Sequence, residues 1–456
     1  MSFSSLTMVR GSFPPSCNVS APIINILTIY RQLPKEQDTK DIMKSLFDLY
    51  RFRSLPIFSK ETNQWEFHEM TSLTIDDHLV TISCHTEEKC YKEIERLCQS
   101  NFDEMKNKPA WIFYRIVNQG TGKSFLLMRV HHVIGDGIAL VLAIDRIFTN
   151  SKGEKVKTVL PGSKYGSQKK TSSDSFLSQL SRFIFSFFRV VTLADTPYDS
   201  DIVFSSSNKS KIVMNISNQS VVYLPNVSLD YIKELKTKAN STINDIMLGA
   251  MTGAIRRYCE RLNDPLMTKG ESRKPLQMRA LLPVSFPRPE SQLNDPDRCL
   301  RNMWCFVSAP MPINEKNPQD RVKSSMSIME SLKKSYESII QFWLMNNILS
   351  RAPLFFLHDI AQKTFTRHSI VFSNVPGPQE ALYLCGEEVL GIQAIFPNII
   401  TQTIIVSYNG SICGNLVVDS TVVKDRNLLK ETYLEELKEL GAAYGVDSKA
   451  MLKEIP

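Results

Sequence analysis

At 456 residues the chain is too long for one ordinary hydrophobic core, and two compact domains of roughly 200 residues each are the expected organisation. A composition of 43% hydrophobic and 22% charged residues excludes a disordered or low-complexity chain. The net charge of +7 is scattered over many short Lys/Arg clusters, which excludes a nucleic-acid track while leaving an anionic small ligand or an anionic membrane surface compatible.

The nine cysteines are odd in number and never take the paired spacing of a zinc or dithiol site, so free thiols and no metal centre are expected. Asn215 and Asn240 open glycosylation sequons, but the first seventeen residues lack the uninterrupted apolar core of a signal peptide, so the sequons are expected to stay unmodified. Residues 1–20 read as a short polar lead ahead of the first strand.

From about residue 21 to 148 helical and strand-like patterns alternate, with an early helix expected over 41–50 and a strand over 123–130 whose apolar run is nearly continuous. That strand runs into His131-His132-Val133-Ile134-Gly135-Asp136-Gly137, and the following IALVLAIDRIF is apolar at helical spacing. The histidine pair therefore belongs at a tight turn from a buried strand into a helix.

Residues 151–175 are rich in Lys, Ser and Gly without apolar periodicity, as in a crossover between domains. The next stretch, 176–194, is strongly apolar but carries Arg182 and Arg189; it reads equally as an interfacial amphipathic helix or a buried linker helix. No window of about twenty uncharged apolar residues exists to span a membrane.

The second half opens with a strand expected near 211–224 and a helix over 230–238. A longer helix then begins at INDIMLGAM, with Ser241 or Thr242 as its N-cap. Strands are expected in 276–286, 302–313, 368–378 and 387–397. Residues 401–420 form a hairpin turning at Asn409-Gly410, and a helix over 426–441 follows. The domain division expected is 1–150, a crossover at 151–210, and 211–456. Strands interleaved with helices, with hairpins present, predict an α/β (α+β) chain of mixed sheets.

Histidine is the side chain that can take a proton from an alcohol near neutral pH and return it, as acyl transfer from a thioester requires. Neighbouring residues on a strand point to opposite faces, so one of His131 and His132 can face a given pocket. Asp136 could orient that ring or brace the loop, or with Gly137 cap the next helix. Cys84 and His85 are also adjacent, but nothing supplies a third member of a nucleophilic constellation. Phe342, Trp343, Phe355 and Phe356 flank an apolar region that could line an acyl tunnel or form a plain core helix.

HHVIGDG at 131–137, NDIMLGA at 244–250, LPVSFP at 282–287, the strand beginning at Asn302 and SNVPGP at 373–378 together resemble, in order, the blocks of the wax ester synthase/diacylglycerol acyltransferase family. That family lies within the chloramphenicol-acetyltransferase-like CoA-dependent acyltransferases. The resemblance implies two such domains with a tunnel between them, in which His132 is the general base and Asp136 is mainly structural. It implies acyl-CoA as co-substrate without a further cofactor, and a fatty alcohol or diacylglycerol as acceptor. Catalytic candidates are thus His132, His131, Asp136 and Gly137; Asn244, Asp245, Ser373 and Asn374 are substrate-binding or structural, Asn244 and Asp245 being equally ordinary capping residues. Apolar substrates imply a peripheral place on the endoplasmic reticulum membrane or lipid droplets, on the cytoplasmic side. A condensation-type, amide-forming acyltransferase and a catalytically silent lipid-binding protein on the same fold are the alternatives.

Overall fold

The computed structural model describes residues 3–11, 13, 21–156, 175–205, 214–268, 275–293, 295–296 and 298–454. Cys17, most of the 151–175 crossover and the beginning of the strand expected from Lys211 lie outside them. The principal strands are β1 (Ile23–Tyr30), β2 (Leu79–Cys84), β3 (Trp111–Asn118), β4 (Ser124–His131), β5 (Gln219–Tyr223), β6 (Arg279–Ser285), β7 (Trp304–Pro310), β8 (Ile370–Pro376), β9 (Gly391–Ile395), β10 (Thr401–Tyr408) and β11 (Ser411–Asp419).

Two mixed sheets result. The first runs β9-β1-β4-β3-β2, and the second β7-β6-β8-β10-β11-β5 with the short strand Val227–Ser228 beside β11. All eight residues of β1 are buried, which is why its sequence IINILTIY does not alternate. β9 comes from the second half of the chain yet pairs antiparallel with β1, Asn25 facing Ile395. The two halves are therefore stitched through one sheet.

The hairpin of β10 and β11 turns at Asn409 and Gly410, with φ of 42° and 70°, the left-handed pair that a two-residue turn demands. The segment 387–397 divides into a two-residue bridge, Glu387–Glu388, and β9. The early helix begins sooner than its apolar residues suggested. Glu36–Met43 is α-helical, with Glu36 and Asp38 in a first turn where negative charge favours the helix dipole. The chain then tightens into 3₁₀ turns at Lys44–Asp48 and Tyr50–Phe52, which bury Leu46 and Phe52. The polar lead contains a helix, Phe3–Arg10, whose Ser4 and Ser5 are buried.

The second domain is built on the central helix Ile243–Arg261, buried from Asp245 through Arg256. Each fully buried large aliphatic side chain there contributes about 1.5–3 kcal/mol. Its Gly253 makes room for Glu436 of the C-terminal helix Arg426–Tyr444, since a Cβ would lie 2.1 Å from the Glu436 carboxyl carbon. Glu436 is held by Arg321 at 2.6 Å and by Arg257 at 2.9 Å, so the buried charge is paired.

Candidate active site

A cavity of about 1830 Å³ opens between the two sheets, lined by β1 and β9 of the first and by β6, β7, β8 and β10 of the second. Small-molecule pockets usually hold about 300–1,000 Å³, so this one has room for more than one long ligand. His132, Asp136 and Gly137 lie on its wall; His131 does not.

The motif loop is fixed by its backbone. β4 ends where the His131 N–H donates to Ala110 O at 2.9 Å, and the His132 N–H donates to Pro22 O at 2.8 Å. Asp136 caps the helix Gly137–Ile144 by accepting from the Ala139 N–H at 3.0 Å. Gly135 is sterically required, because a Cβ there would sit 2.5 Å from the Ala139 methyl, whereas Gly137 has nothing within 4 Å of the same position. Asp136 also accepts from Arg288 Nη2 at 2.6 and 2.7 Å and from the Met303 N–H at 2.9 Å. This carboxylate thus ties the histidine loop to the segment that enters β7.

That tie delivers Asn302. Its Oδ1 lies 2.9 Å from His132 Nδ1, and its Nδ2 donates to His132 O at 2.7 Å. Trp304 and Phe396 flank the imidazole with ring centroids 5.6 and 5.7 Å away. Burial pushes the His132 imidazole below its ordinary value, against the opposing pull of the Asp136 carboxylate, a backbone bond and Asn302. A neutral ring is what a proton acceptor must be. Burial, with the neighbouring His132, takes His131 down to about 4, and its Nδ1 accepts from the Val133 N–H at 3.2 Å.

Asn244, Ser373 and Asn374 line the same cavity, and Asn374 Nδ2 donates to Asn244 Oδ1 at 2.5 Å, bridging the central helix to β8. Asp245 does not line it. Its Oδ2 accepts from the Thr242 N–H at 2.8 Å and the Thr242 hydroxyl at 2.7 Å, closing a capping box at the helix start. Cys84 is buried in β2, and neither it nor His85 is among the cavity residues. Among the described residues no group of three or more His, Cys, Asp or Glu could hold a metal ion.

Reading by residue type missed the work of Asn302, Arg288 and Ser5. Asn302 lies 170 residues from His132 with no local pattern to join them. The aromatic cluster near 342–356 turns out differently from both expectations: Trp343, Phe355 and Phe356 are 55%, 75% and 44% exposed, and none of them, nor Phe342, lines the cavity. The opposite faces of their helices, Glu337–Asn347 and Leu354–Thr366, supply Gln341, Met345, Leu357 and Ala361 to its wall.

The helix Phe176–Val191 lies at the same lip, contributing Gln179 and Arg182 to the cavity wall. Its buried residue is Ser186, whose hydroxyl accepts from the Tyr336 N–H at 3.0 Å, and Arg189 pairs with the buried Glu337 at 3.1 Å. Phe176, Leu177, Phe185 and Phe188 stand out to solvent, so this is no buried linker.

Residues 301–441 match the family model of the WS/DGAT C-terminal domain. Wax ester synthase/diacylglycerol acyltransferase 1 of Arabidopsis thaliana is 24% identical over 409 residues, covering 81% of each chain. The chain is thus similar, in its C-terminal part and along most of its length, to members of the wax ester synthase/diacylglycerol acyltransferase family. A second Arabidopsis member, numbered 2, is 25% identical over 74% of this chain and 73% of its own length. The fold is that of the solved family member from Marinobacter aquaeolei VT8, with a TM-score of 0.64 at 16% identity over 97% of this chain and 98% of that one. The first condensation domain of the calcium-dependent antibiotic synthetase has the same fold, with a TM-score of 0.62 at 10% identity over 99% of both chains.

Proposed function

We propose that the chain is a member of this family and an O-acyltransferase that moves a fatty acyl group from acyl-CoA to a long-chain alcohol, to diacylglycerol, or to both. The observation that carries the reading is a geometrically constrained His132 on the wall of a cavity of about 1830 Å³. In the reaction His132 Nε2 takes the hydroxyl proton as the acceptor oxygen attacks the thioester carbonyl. Collapse of the tetrahedral intermediate breaks the C–S bond, and the imidazolium returns the proton to the CoA thiolate. No acyl-enzyme is needed, and acyl-CoA serves as co-substrate.

Peripheral attachment to the endoplasmic reticulum membrane or lipid droplets, on the cytoplasmic side, belongs to the same proposal. No helix among the described residues is long and apolar enough to cross a membrane. The support for attachment is the exposed lip of the cavity. Phe176–Val191 contains no carboxylate, and the sole one in residues 335–358 is Glu337, buried and paired with Arg189. Exposed apolar side chains on segments that carry Arg182, Arg189 and Arg351 suit an anionic lipid surface.

The test is purified wild type beside His132→Ala, given labelled palmitoyl-CoA with a fatty alcohol or diacylglycerol and the lipids resolved by chromatography. Wax ester or triacylglycerol from wild type, reduced about 10²–10⁴-fold in the variant, is expected. Transfer to an amine instead would move the reading to amide formation, and no transfer to any acceptor would leave a lipid-binding protein.

A further inference from the structure

We infer that Asn302 and Ser5 are positioning residues for His132. The Asn302 amide selects the imidazole tautomer whose Nε2 is open to the acceptor hydroxyl, and the N-terminal helix Phe3–Arg10 steadies that amide through Ser5. The inference rests on His132 being the base.

The hydrogen-bonding alternatives close one after another. The His132 carbonyl oxygen can only accept, so the group 2.7 Å from it must be the NH₂ end of the Asn302 amide. Its Oδ1 therefore faces His132 Nδ1 at 2.9 Å, and since that oxygen can only accept as well, Nδ1 carries the ring proton. The lone pair is then on Nε2. A backbone carbonyl thus fixes the amide and the amide fixes the ring, with no charge placed beside it.

The amide is held in turn. Asn302 Nδ2 also donates to Ser5 Oγ at 3.1 Å, and the same hydroxyl oxygen accepts from Arg51 Nη1 at 3.4 Å. Arg51 Nη1 donates to the carbonyls of Val133 and Ile134 at 3.0 and 3.2 Å, inside the histidine motif. The path from the motif through Asn302, Ser5 and Arg51 returns to the motif, and Ser5 and Asn302 are fully buried. Thr7 and Met8 of the same helix line the cavity. The first turns of the chain are thereby a wall of the site and a brace for its base.

The ionisable groups around this assembly are Asp136, paired with Arg288, together with His131, Arg51, Cys299 and Arg301. Asn302 adds orientation without charge, and that makes the proposal separable from a merely structural role.

The experiment compares full-length wild type with Asn302→Ala, Asn302→Asp and Ser5→Ala, using whichever acyl-CoA and acceptor pair the wild type turns over. Asn302→Ala is expected to lower kcat by about 10²-fold with KM for acyl-CoA little changed, as for a misplaced reacting group. Ser5→Ala should lower kcat only severalfold. Asn302→Asp keeps an acceptor at Nδ1 but adds negative charge that favours the imidazolium, so it should retain more activity than the alanine variant. It should also move the acid limb of the kcat/KM profile to higher pH.

Independently of turnover, ¹⁵N-histidine spectra of the wild type should show His132 protonated at Nδ1. A wild-type His132 protonated at Nε2, or a folded Asn302→Ala with wild-type kcat and pH profile, overturns the inference. If Asn302→Ala does not fold, the aspartate variant's pH profile and the wild-type spectrum decide. A wild type that turns over no substrate would instead defeat the reading of His132 as base, while the spectra would still judge the tautomer.

Discussion

The floor of the cavity and its lip are built from opposite materials. At the floor Asp136 is buried, and so behind it are Asn302, Ser5 and Arg288, each hydrogen-bonded to a neighbouring loop or helix. At the lip, Phe176, Phe185, Phe188, Trp343 and Phe355 are at least half exposed on helices that touch the cavity with their other faces. A reaction that depends on one tautomer needs a site whose geometry cannot drift. Capture of lipid-borne substrates needs apolar surface on the outside. On the proposed reading, the difference separates where chemistry is done from where substrate would arrive, and each side can be broken alone.

The largest effect on stability is expected at the floor. Arg288→Ala would leave the Asp136 carboxylate buried without its guanidinium, a loss of about 3–5 kcal/mol readable by urea denaturation. A loss below about 1 kcal/mol would mean that Asp136 relaxes toward other partners and that the loop is less fixed than its bonds imply.

A smaller and graded effect should follow acid. Burial holds His131 and His78 down to about 4 and His368 to about 3, against 6.5 for an ordinary imidazole. Below pH 6.5 the unfolded chain therefore binds protons that the folded one refuses. Stability from these groups is complete above pH 6.5 and declines progressively as pH falls toward 4. Thermal melts across that window check the sign, and a midpoint that rises on acidification would contradict it.

At the lip the effect on folding should be smallest. Phe185→Ser with Phe188→Ser and Phe355→Ser changes exposed side chains, so stability should move by no more than about 0.5 kcal/mol per site. Co-sedimentation with anionic phospholipid vesicles should nevertheless weaken by about tenfold or more per ring, while turnover of a water-soluble short-chain substrate is unaffected. Undiminished vesicle binding would remove the lip from the account of how substrate arrives.

Much of this could be read from local pattern. The turn from strand to helix at 131–137, the hairpin at Asn409-Gly410 and the helix from Ile243 appear where alternation, turn residues and N-caps place them. The beginning of the early helix was less legible, because its first turn is set by Glu36 and Asp38 and not by apolar spacing. Phe355 and Trp343 misled for a related reason: a helix that is apolar on two faces does not say which one is buried.

The sequence by itself determined the mixed α/β class, the position of the histidine pair and the family blocks that point to acyl transfer, since each is carried by neighbours in the chain. Only the tertiary structure decided that β9 crosses into the first sheet, that His132 rather than His131 meets the cavity, and that Asn302, Ser5 and Arg288 converge on that motif. Those contacts join residues 152 to 370 positions apart, and no local propensity encodes a hydrogen bond over such a distance. They exist because burying the two sheets against one another leaves the polar groups at their junction no partners except each other.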